Sequence, residues 1–466
     1  MKKVISLLLA LVMTLSLCAC SGSGEEAKGD GLGEGLNVGY ARENITPNYP
    51  VGLGGYSDAE TRISNGFADY IYTTCVAVTS GEETILIYTV DQCGTSAAMN
   101  EKIRAKATER TGVPGEKIFI GFTHNHSAPG TGGSEAMDKY GQEFYEACGV
   151  AAEKAMADRA PAQLKAATRQ VEGMVFVRHY KMDDGTFAGS NFGSFESTIA
   201  GHAAEGDEQM ILLQFDRAED KQDVLLVNFQ GHPDNAHEVG YNIISASWPG
   251  ALRDELAKQS GALVAYFTGA SGNMGADSKI ASEAHGLDYK TFGQKLGQIA
   301  NEMLTQAQPV EGTAIKTTGT MLEVENDHSW DDQVEQANEV FDLWKSAGTT
   351  AGNALAKNYG FSSVYHARAI RTRASRKATD KLEVRAFSIG GIGFTTGTYE
   401  MFSTSALQLK AESPFDITFV ITGNSSYIPD LAAFKYRSYE SDTGFYVEGT
   451  AEKLVDNYVK MLNEVK

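Results

Sequence analysis

An apolar run that ends in His-x-His constrains the fold of this chain most strongly. The run 117–123 is typical of a buried strand, and His124-Asn125-His126-Ser127-Ala128-Pro129-Gly130 begins where it ends. Residues two apart in a strand face the same side, so the pattern predicts that both imidazoles leave one face of a sheet, just before a turn made by Pro and Gly. α/β sheets usually place their chemistry at such strand ends. The alternative interpretation is a pair of solvated surface histidines.

Strand-like and helical segments alternate along the sequence. Helices are predicted at 97–111, 138–157, 249–259, 289–307, 330–355, 401–412 and 451–462. Strands are predicted at 210–215, 224–229 and 262–268, and extended segments at 313–325, 362–373 and 382–390. This order predicts an α/β fold with a layered mixed β-sheet core and flanking helices, in a single large domain.

The N-terminus has the pattern of a bacterial lipoprotein signal. Lys2 and Lys3 precede a short apolar run, and Leu17-Cys18-Ala19-Cys20 is similar to a lipobox. We therefore expect a signal peptide at 1–19, a lipid on the Cys20 sulfur, a flexible tether at 20–36 and one domain at 37–466. The lipid would hold the protein on the extracytoplasmic face of the cell membrane. Simple secretion with cleavage elsewhere is the alternative.

Charge and cysteine content narrow the range of partners. The 466 residues include 60 acidic and 40 basic ones, and removal of Lys2 and Lys3 with the signal leaves 38 basic residues and a net charge of −22. This excess argues against nucleic acid as a partner and against electrostatic docking on anionic lipid. Cys75, Cys93 and Cys148 lack metal-site spacing and are interpreted as core residues, although neighbouring predicted strands are compatible with a disulfide between Cys75 and Cys93.

Five apolar strands end in polar residues. The exits contain His124 and His126, then His232, the Gly-rich segment 268–275, Glu400, and the turn 423–429 with Tyr427. Taken singly, each has a structural explanation: Glu400, for example, is predicted at the start of a helix, where a carboxylate interacts favourably with the helix dipole. His237 lies on a predicted loop and is compatible with solvation or coordination. Taken together, two or three histidines and one carboxylate make a catalytic zinc set with a position left for water.

Several segments carry a resemblance to a known family. They are 38–47, Thr123-His124-Asn125-His126-Ser127-Ala128-Pro129-Gly130, Asn228-Phe229-Gln230-Gly231-His232-Pro233, Tyr399-Glu400 and Tyr427-Ile428-Pro429. In this order they resemble the catalytic domain of the neutral, non-lysosomal ceramidases, and the shorter bacterial members most. The resemblance extends from about residue 37 to 460, and its most specific part is the His-x-His-Ser segment.

The resemblance implies a metal centre and a substrate class. It implies one zinc ion with the ligands His124, His232, Glu400 and Tyr427. It also implies that His126 is a neighbouring acid/base and that Arg178 orients the substrate. The substrate would be a small-molecule or lipid amide, such as the N-acyl bond of a ceramide-like sphingolipid.

Two departures from the family pattern stand out. The family's Gly-Asn-x-Ser-Pro pattern is Gly272-Asn273-Met274-Gly275-Ala276 here, so Gly275 takes the place of the serine and any step that needs its hydroxyl is in question. A C-terminal β-sandwich domain is not expected, because the chain stops soon after Tyr427.

The sequence therefore predicts a zinc-dependent amidohydrolase in which metal-activated water attacks an amide carbonyl. One alternative is a non-catalytic surface lipoprotein that binds a small solute or a metal. The other is a zinc hydrolase that acts on an ester or on another amide.

Overall fold

The computed structural model describes residues 35–56, 61–94, 96–189, 192–218, 220–276, 279–280, 283–423 and 426–466, without the His237 side chain. The expected signal peptide and the expected lipid acceptor Cys20 lie outside these residues. Leu36, which the sequence places in the tether, is buried and is the first residue of the first strand. No described helix combines the length and apolar character needed to cross a membrane.

Strands make up the centre of the molecule. In chain order they are β1 Leu36–Asn44, β2 Gly66–Phe67, β3 Tyr72–Ser80, β4 Glu83–Val90, β5 Ile118–Phe122, β6 Ala160–Gln170, β7 Phe176–Val177, β8 Tyr180–Met182, β9 Phe187–Ala188, β10 Ile199–His202, β11 Gln209–Arg217, β12 Val224–Phe229, β13 Ile243–Ile244, β14 Leu263–Thr268, β15 Met274–Gly275, β16 Gln308–Pro309, β17 Ile315–Glu325, β18 Thr379–Ile389, β19 Ile392–Gly397, β20 Glu400–Met401, β21 Ile417–Thr422 and β22 Tyr427–Ile428.

Helices surround this centre. They are α1 Ala97–Thr111, α2 Glu135–Ala157, α3 Ser247–Ser260, α4 Tyr289–Leu304, α5 Val334–Ala347, α6 Thr349–Asn358, α7 Val364–Ala374, α8 Ser403–Glu412, α9 Leu431–Lys435, α10 Tyr439–Thr443 and α11 Thr450–Glu464. Short 3₁₀ helices occur at Gly115–Lys117, Asn235–Val239 and Asp331–Gln333. Local sequence sets several ends: α1 ends at Gly112 with φ +74°, and the Asp288 side chain accepts the amides that open α4.

Two mixed sheets carry the fold. The larger has the order β14-β12-β11-β6-β1-β3-β4-β5, with β16 paired to β6, and its two terminal pairs, β12–β14 and β4–β5, are parallel. The smaller has the order β17-β18-β19-β21, and its β19–β21 pair is parallel. Strands buried on both faces form continuous apolar runs, as in β12, where every residue is buried. The strands of these parallel pairs include those that lead into the predicted site.

The two sheets pack face to face between outer helices. Phe119 of the larger sheet contacts Phe387 of the smaller with ring centroids 4.1 Å apart, and Phe387 stacks on Phe394 at 4.4 Å. Helices α1 to α4 pack on the outer face of the larger sheet, and α8 and α11 pack on the outer face of the smaller. The resulting order of helices, sheet, sheet and helices confirms the predicted layered mixed sheet core with flanking helices.

Two predictions for the segment between β17 and β18 were wrong. Residues 362–373, predicted as extended, form α7, because Val364, Ala367 and Ile370 recur at helical spacing and are all buried, and the Ser363 side chain accepts the His366 amide. The helix predicted at 330–355 is divided, because Gly348 with φ +86° separates α5 from α6. These three helices enclose a small apolar core of their own.

Cys75 and Cys148 are core residues, as predicted, whereas Cys93 is only partly buried and borders a cavity. Cys75 and Cys148 are buried, and burial raises the pKa of the Cys148 thiol to about 12. Cys75 lies in β3 and Cys93 follows the neighbouring β4, but the two are not joined by a disulfide. The fold is therefore stabilised by its apolar layers without a cross-link between these two strands.

Candidate active site

The predicted strand exits meet at one edge of the two sheets. The Thr268 hydroxyl donates to the Thr123 carbonyl at 2.9 Å, which ties the end of β14 to the end of β5. The Thr422 hydroxyl donates to the Gly269 carbonyl at 2.7 Å, which ties the end of β21 to that of β14. Side chains that follow different strands are thereby brought to a common place.

His124 and His126 arrive there by a route that differs from the prediction. β5 ends at Phe122, before either histidine, so the two imidazoles do not share a strand face. His124 instead has φ +60°, a left-handed conformation that is uncommon outside glycine. This bend turns the chain so that His124 and His126 still point to the same centre.

Three imidazoles form a tight triangle. The Nε2 atoms are 3.0 Å apart for His124 and His232, 3.1 Å for His232 and His126, and 3.3 Å for His126 and His124. A tetrahedral zinc ion with Zn–N bonds near 2.0–2.1 Å separates neighbouring ligand nitrogens by about 3.3 Å. The spacing of His124 and His232 is therefore close to that of two nitrogen ligands of one zinc ion, and His126 lies beside them.

Hydrogen bonding alone does not satisfy this triangle. A ring nitrogen that carries a proton only donates, and one that lacks a proton only accepts. At least one of the three contacts therefore joins two donors or two acceptors. The Ser271 carbonyl accepts from Nδ1 of His232 at 3.2 Å, which leaves a lone pair on Nε2. A cation beside Nε2 of His232 would bind this lone pair and remove the conflict.

Glu400 adds a carboxylate to the same centre. Its Oε2 atom lies 3.5 Å from Nε2 of His124, and it is buried without a hydrogen-bond partner among the described residues. His124, His232 and Glu400 are 5%, 1% and 6% exposed, and their ligand atoms fit within the reach of one metal ion. A buried carboxylate oxygen without a partner is rare unless an ion completes it.

The backbone around Glu400 explains its position. Glu400 lies in β20 and pairs in register with Tyr427 of β22, so it does not stand at the start of a helix as predicted. α8 begins at Ser403, and its Ser403 amide is capped by the Asn273 side chain at 2.9 Å. The structural explanation of Glu400 as a helix cap was therefore wrong, and its side chain is left to face the histidines.

Burial sets the charge state of the cluster. Desolvation lowers the pKa of His124 to about 4 and lowers that of His232 well below its ordinary value. Desolvation raises the pKa of Glu400 to about 8, against the opposing effect of Arg178. Both imidazoles are thus neutral near pH 7, the state in which histidine binds metals.

Arg178 belongs to a second buried polar group, which we call the Arg178–Glu440 network. Its Nε and Nη2 atoms lie 2.8 and 2.6 Å from Oε1 of Glu440. The other Glu440 oxygen is 2.7 Å from Nε2 of His179, whose Nδ1 is 2.8 Å from the Tyr436 hydroxyl. Burial raises the pKa of Glu440, but His179 and Arg178 outweigh it and hold that pKa at about 2.

Arg178 and Tyr427 link this network to the histidines. Nη2 of Arg178 lies 2.9 Å from the Gly272 carbonyl and 3.3 Å from the Tyr427 hydroxyl. A Cβ atom at Gly272 would lie 2.9 Å from the Glu400 and Met401 carbonyls, so only glycine allows this close approach. The structure therefore brings all six predicted site residues together, namely His124, His126, Arg178, His232, Glu400 and Tyr427.

A cavity of about 1000 Å³ opens above the cluster. His126, Arg178, His232 and Tyr427 form part of its wall, and His126 is less buried than the other two histidines. The Arg62 guanidinium lies 4.7 Å from the Tyr56 ring centroid and donates to the His126 carbonyl at 2.6 Å. The cavity gives small molecules access to the metal-sized centre.

Comparison with known proteins adds to this geometry. No family model and no curated protein matches the sequence. Among solved structures, neutral ceramidase from Pseudomonas aeruginosa matches with a TM-score of 0.67 over 92% of this chain and 74% of that chain, at 16% identity. A ceramidase complexed with C2 matches with a TM-score of 0.67 over 92% and 75%, at 15% identity. This chain has the neutral ceramidase fold. The fold implied by the sequence resemblance is confirmed.

Within this ceramidase fold, three polar residues of the site were missed from the sequence. Glu440 holds Arg178, His179 in turn holds Glu440, and Cys93 lies within metal-ligand distance of His124 and His126. The available sequence signal for His179 was its place beside Arg178, as two polar residues between the apolar Val177 and Tyr180. Glu440 follows a helix N-cap in a polar stretch, and nothing in its local pattern distinguishes it from a surface residue.

Proposed function

We propose that this protein is a zinc-dependent hydrolase that cleaves the amide bond of an N-acylated amine, with ceramide-like sphingolipids as candidate substrates. The observation that supports this most directly is the triangle of imidazoles beside Glu400, whose Oε2 atom has no hydrogen-bond partner among the described residues, at the base of a large cavity in the neutral ceramidase fold. The two solved structures described above, which share the fold, are ceramidases.

Four residues would hold the ion, namely His124, His232, Glu400 and Tyr427. Their donor set of two imidazole nitrogens and two oxygens suits zinc and leaves room for water or substrate. When bound, zinc would polarise the amide carbonyl and lower the pKa of a water molecule toward about 7. His232 is held in the tautomer that this requires by the Ser271 carbonyl.

The remaining residues orient the substrate and move a proton. Arg178 is fixed by Glu440 and by the Gly272 carbonyl, and it borders the cavity, so it is placed to hold the carbonyl oxygen as negative charge develops there. His126 also borders the cavity, and we propose that its Nε2 atom delivers a proton to the leaving amine.

Gly275 fits a route in which water is the nucleophile. Gly275 pairs with Phe176 between β15 and β7, and no hydroxyl is available at this position. In the proposed route the attacking oxygen comes from water, so no side-chain hydroxyl needs to form an acyl intermediate.

A hydrolysis assay tests the proposal. N-acylsphingosine in mixed micelles is incubated with the purified protein, with the His124→Ala variant and with protein treated with a chelator and then with zinc. We expect release of free sphingosine by the untreated protein, loss in the variant and the chelated sample, and recovery on addition of zinc. Stoichiometric zinc without turnover of any acyl amide would instead identify a metal-binding protein.

We also propose that the protein is anchored to the outer face of the membrane through Cys20. The lipobox-like Leu17-Cys18-Ala19-Cys20 supports this. Metabolic labelling with a radioactive fatty acid checks it, with incorporation expected in the full chain and lost in Cys20→Ala. Labelling that persists in this variant would place the lipid elsewhere.

A further inference from the structure

The helical unit α5–α7 supplies one wall of the cavity. It lies between β17 and β18 in the chain and has its own apolar core, which includes Val340, Phe361 and Ile370. Trp344, Lys345, Tyr365 and Arg368 of this unit border the cavity. A part of the fold that is packed separately from the metal-sized centre thus contributes the far side of the substrate-binding space.

Aromatic rings connect the two ends of this space. Tyr427 lies 6.0 Å from Tyr439, Tyr439 lies 6.1 Å from Tyr365, and Tyr365 lies 5.4 Å from Trp344, measured between ring centroids. All four residues border the cavity. We call these four residues the aromatic track. It offers flat contact surfaces for an extended substrate that starts at the metal-sized centre.

Two cations stand at the outer end of the aromatic track. The Arg368 guanidinium carbon lies 6.0 Å from the Tyr365 centroid, and the Lys345 ammonium lies 5.1 Å from the nearer Trp344 ring centroid. Neither forms an ion pair with a carboxylate among the described residues, although the chain has 60 acidic residues against 40 basic ones. Arg178, in contrast, is neutralised by Glu440.

The carboxylates around the cavity do not compensate these cations. Asp234 is the single acidic residue among the described residues that border the cavity, and its carbonyl accepts from Tyr56 on the wall that also includes Tyr241. Cations without acidic partners at one end of a binding cavity provide electrostatic complementarity to an anion.

We propose that the substrate is an amide with an anionic group, carboxylate or phosphate, and that Arg368 and Lys345 bind this group. The aromatic track contacts the part of the substrate between the amide and the anion. This rests on the proposed amide hydrolysis and, among N-acylated amines, favours substrates with a remote anionic group over neutral ceramide. Two ring-to-ring steps separate Tyr427 from Tyr365, so the anion lies well away from the scissile carbonyl rather than on the adjacent atoms.

Binding measurements test this independently of turnover. The probes are ω-carboxyacyl anilides of increasing chain length and their methyl esters, titrated by calorimetry into the zinc-loaded His126→Ala protein. We expect at least a ~10-fold tighter Kd for the acid than for the ester at the longer chain lengths, which corresponds to about 1.4 kcal/mol. Equal affinity of acid and ester at every length, or no binding of either, would overturn the proposal.

Variants of the two cations locate the effect. In the same background, Arg368→Gln and Lys345→Gln should reduce the preference for the acid toward ~1, with little change in the Kd of the ester. Arg368→Lys, which keeps the positive charge, should retain most of the preference for the acid. Lys357→Gln is the matched control, because Lys357 is exposed on α6 of the same unit and does not border the cavity. A loss of affinity for acid and ester alike would show a merely structural role and contradict the proposal.

Two arms distinguish the source of the anion. One compares the soluble acids and esters without detergent, and the other compares ceramide phosphate with ceramide in mixed micelles. A preference in the first arm supports a soluble substrate, and a preference in the second alone supports a phosphorylated lipid. The calorimetric preference tests only the binding of the anion. Failure of the unsubstituted protein to hydrolyse any of the probes would instead count against the proposed amide hydrolysis.

Discussion

The histidine cluster and the Arg178–Glu440 network are two buried polar groups in contact with each other, and they differ in one respect. Each contains a carboxylate with almost no exposure to solvent. Glu440 is surrounded by donors on both oxygens, and its pKa falls to about 2. Glu400 has an oxygen without a hydrogen-bond partner among the described residues, and its pKa rises to about 8.

This difference indicates which of the two groups has a structural role and which binds the proposed ion. A buried charge that the protein pairs fully contributes to structure and fixes its neighbours, as Glu440 fixes Arg178. A buried carboxylate beside three imidazoles, with one oxygen that has no hydrogen-bond partner among the described residues, is in an arrangement that a bound cation would complete. The network is therefore interpreted as the support, and the cluster as the place where the ion acts.

The largest expected effect comes from removing a ligand. His232→Ala should reduce amide hydrolysis to background and abolish stoichiometric metal binding, because His232 contributes a lone pair directed at the proposed ion. Mass spectrometry of the metal content and the hydrolysis assay measure both effects. His328→Ala is the control, since His328 is hydrogen-bonded to Asp331 outside the cavity. Retention of metal by His232→Ala would remove this residue from the ligand set.

His126 sharpens the assignment of roles within the triangle. As an acid/base rather than a ligand, it should be replaceable by alanine with the metal retained, while kcat falls by ~10²–10⁴. Metal content and steady-state kinetics on the same preparation check this. Loss of zinc in His126→Ala, to the extent seen in His232→Ala, would make all three histidines ligands.

The two carboxylates give a direct contrast in stability. Glu440→Gln should lower the free energy of unfolding of the metal-free protein by about 3–5 kcal/mol, because it leaves Arg178 buried without its charge partner. Glu400→Gln should change it by less than about 1 kcal/mol, because the protein supplies no partner to Oε2. Urea unfolding in the presence of a chelator measures both. Equal destabilisation by the two substitutions would contradict the claim that Glu440 has a structural role that Glu400 lacks.

Acid stability provides a smaller effect of known sign. The pKa of Glu440 in the fold is about 2, below its ordinary value of 4.5, so the folded state favours its charged form. The stability that Glu440 contributes is thus complete above pH 4.5 and is lost as the pH falls toward 2. Unfolding of the metal-free protein across this range should be less steeply pH-dependent in Glu440→Gln. Parallel profiles for the two proteins would contradict the assigned pKa.

The sequence predicted the strands better than it predicted how the candidate site residues meet. β12 was predicted to the residue, because a run of β-branched and other apolar residues with a single polar member, Asn228, lies between the polar Asp223 and Gln230. The helix α7 was missed, because its buried residues were not recognised as a helical repeat. The left-handed turn at His124 has no local sequence signal. Glu440 was missed for a different reason: its partners are distant in the chain, and only the tertiary structure brings Arg178 and His179 to it.

The most direct test of the central claim is the metal content of the purified, folded chain. Residues 37–466 are prepared without chelator. The zinc content is measured by mass spectrometry before and after equilibrium dialysis against a zinc solution. We expect about one zinc ion per chain in the unsubstituted protein and a loss of binding in Glu400→Gln and His232→Ala. A folded protein that holds no zinc after dialysis, or that holds it equally well in these variants, would contradict the claim that His124, His232, Glu400 and Tyr427 surround a metal ion.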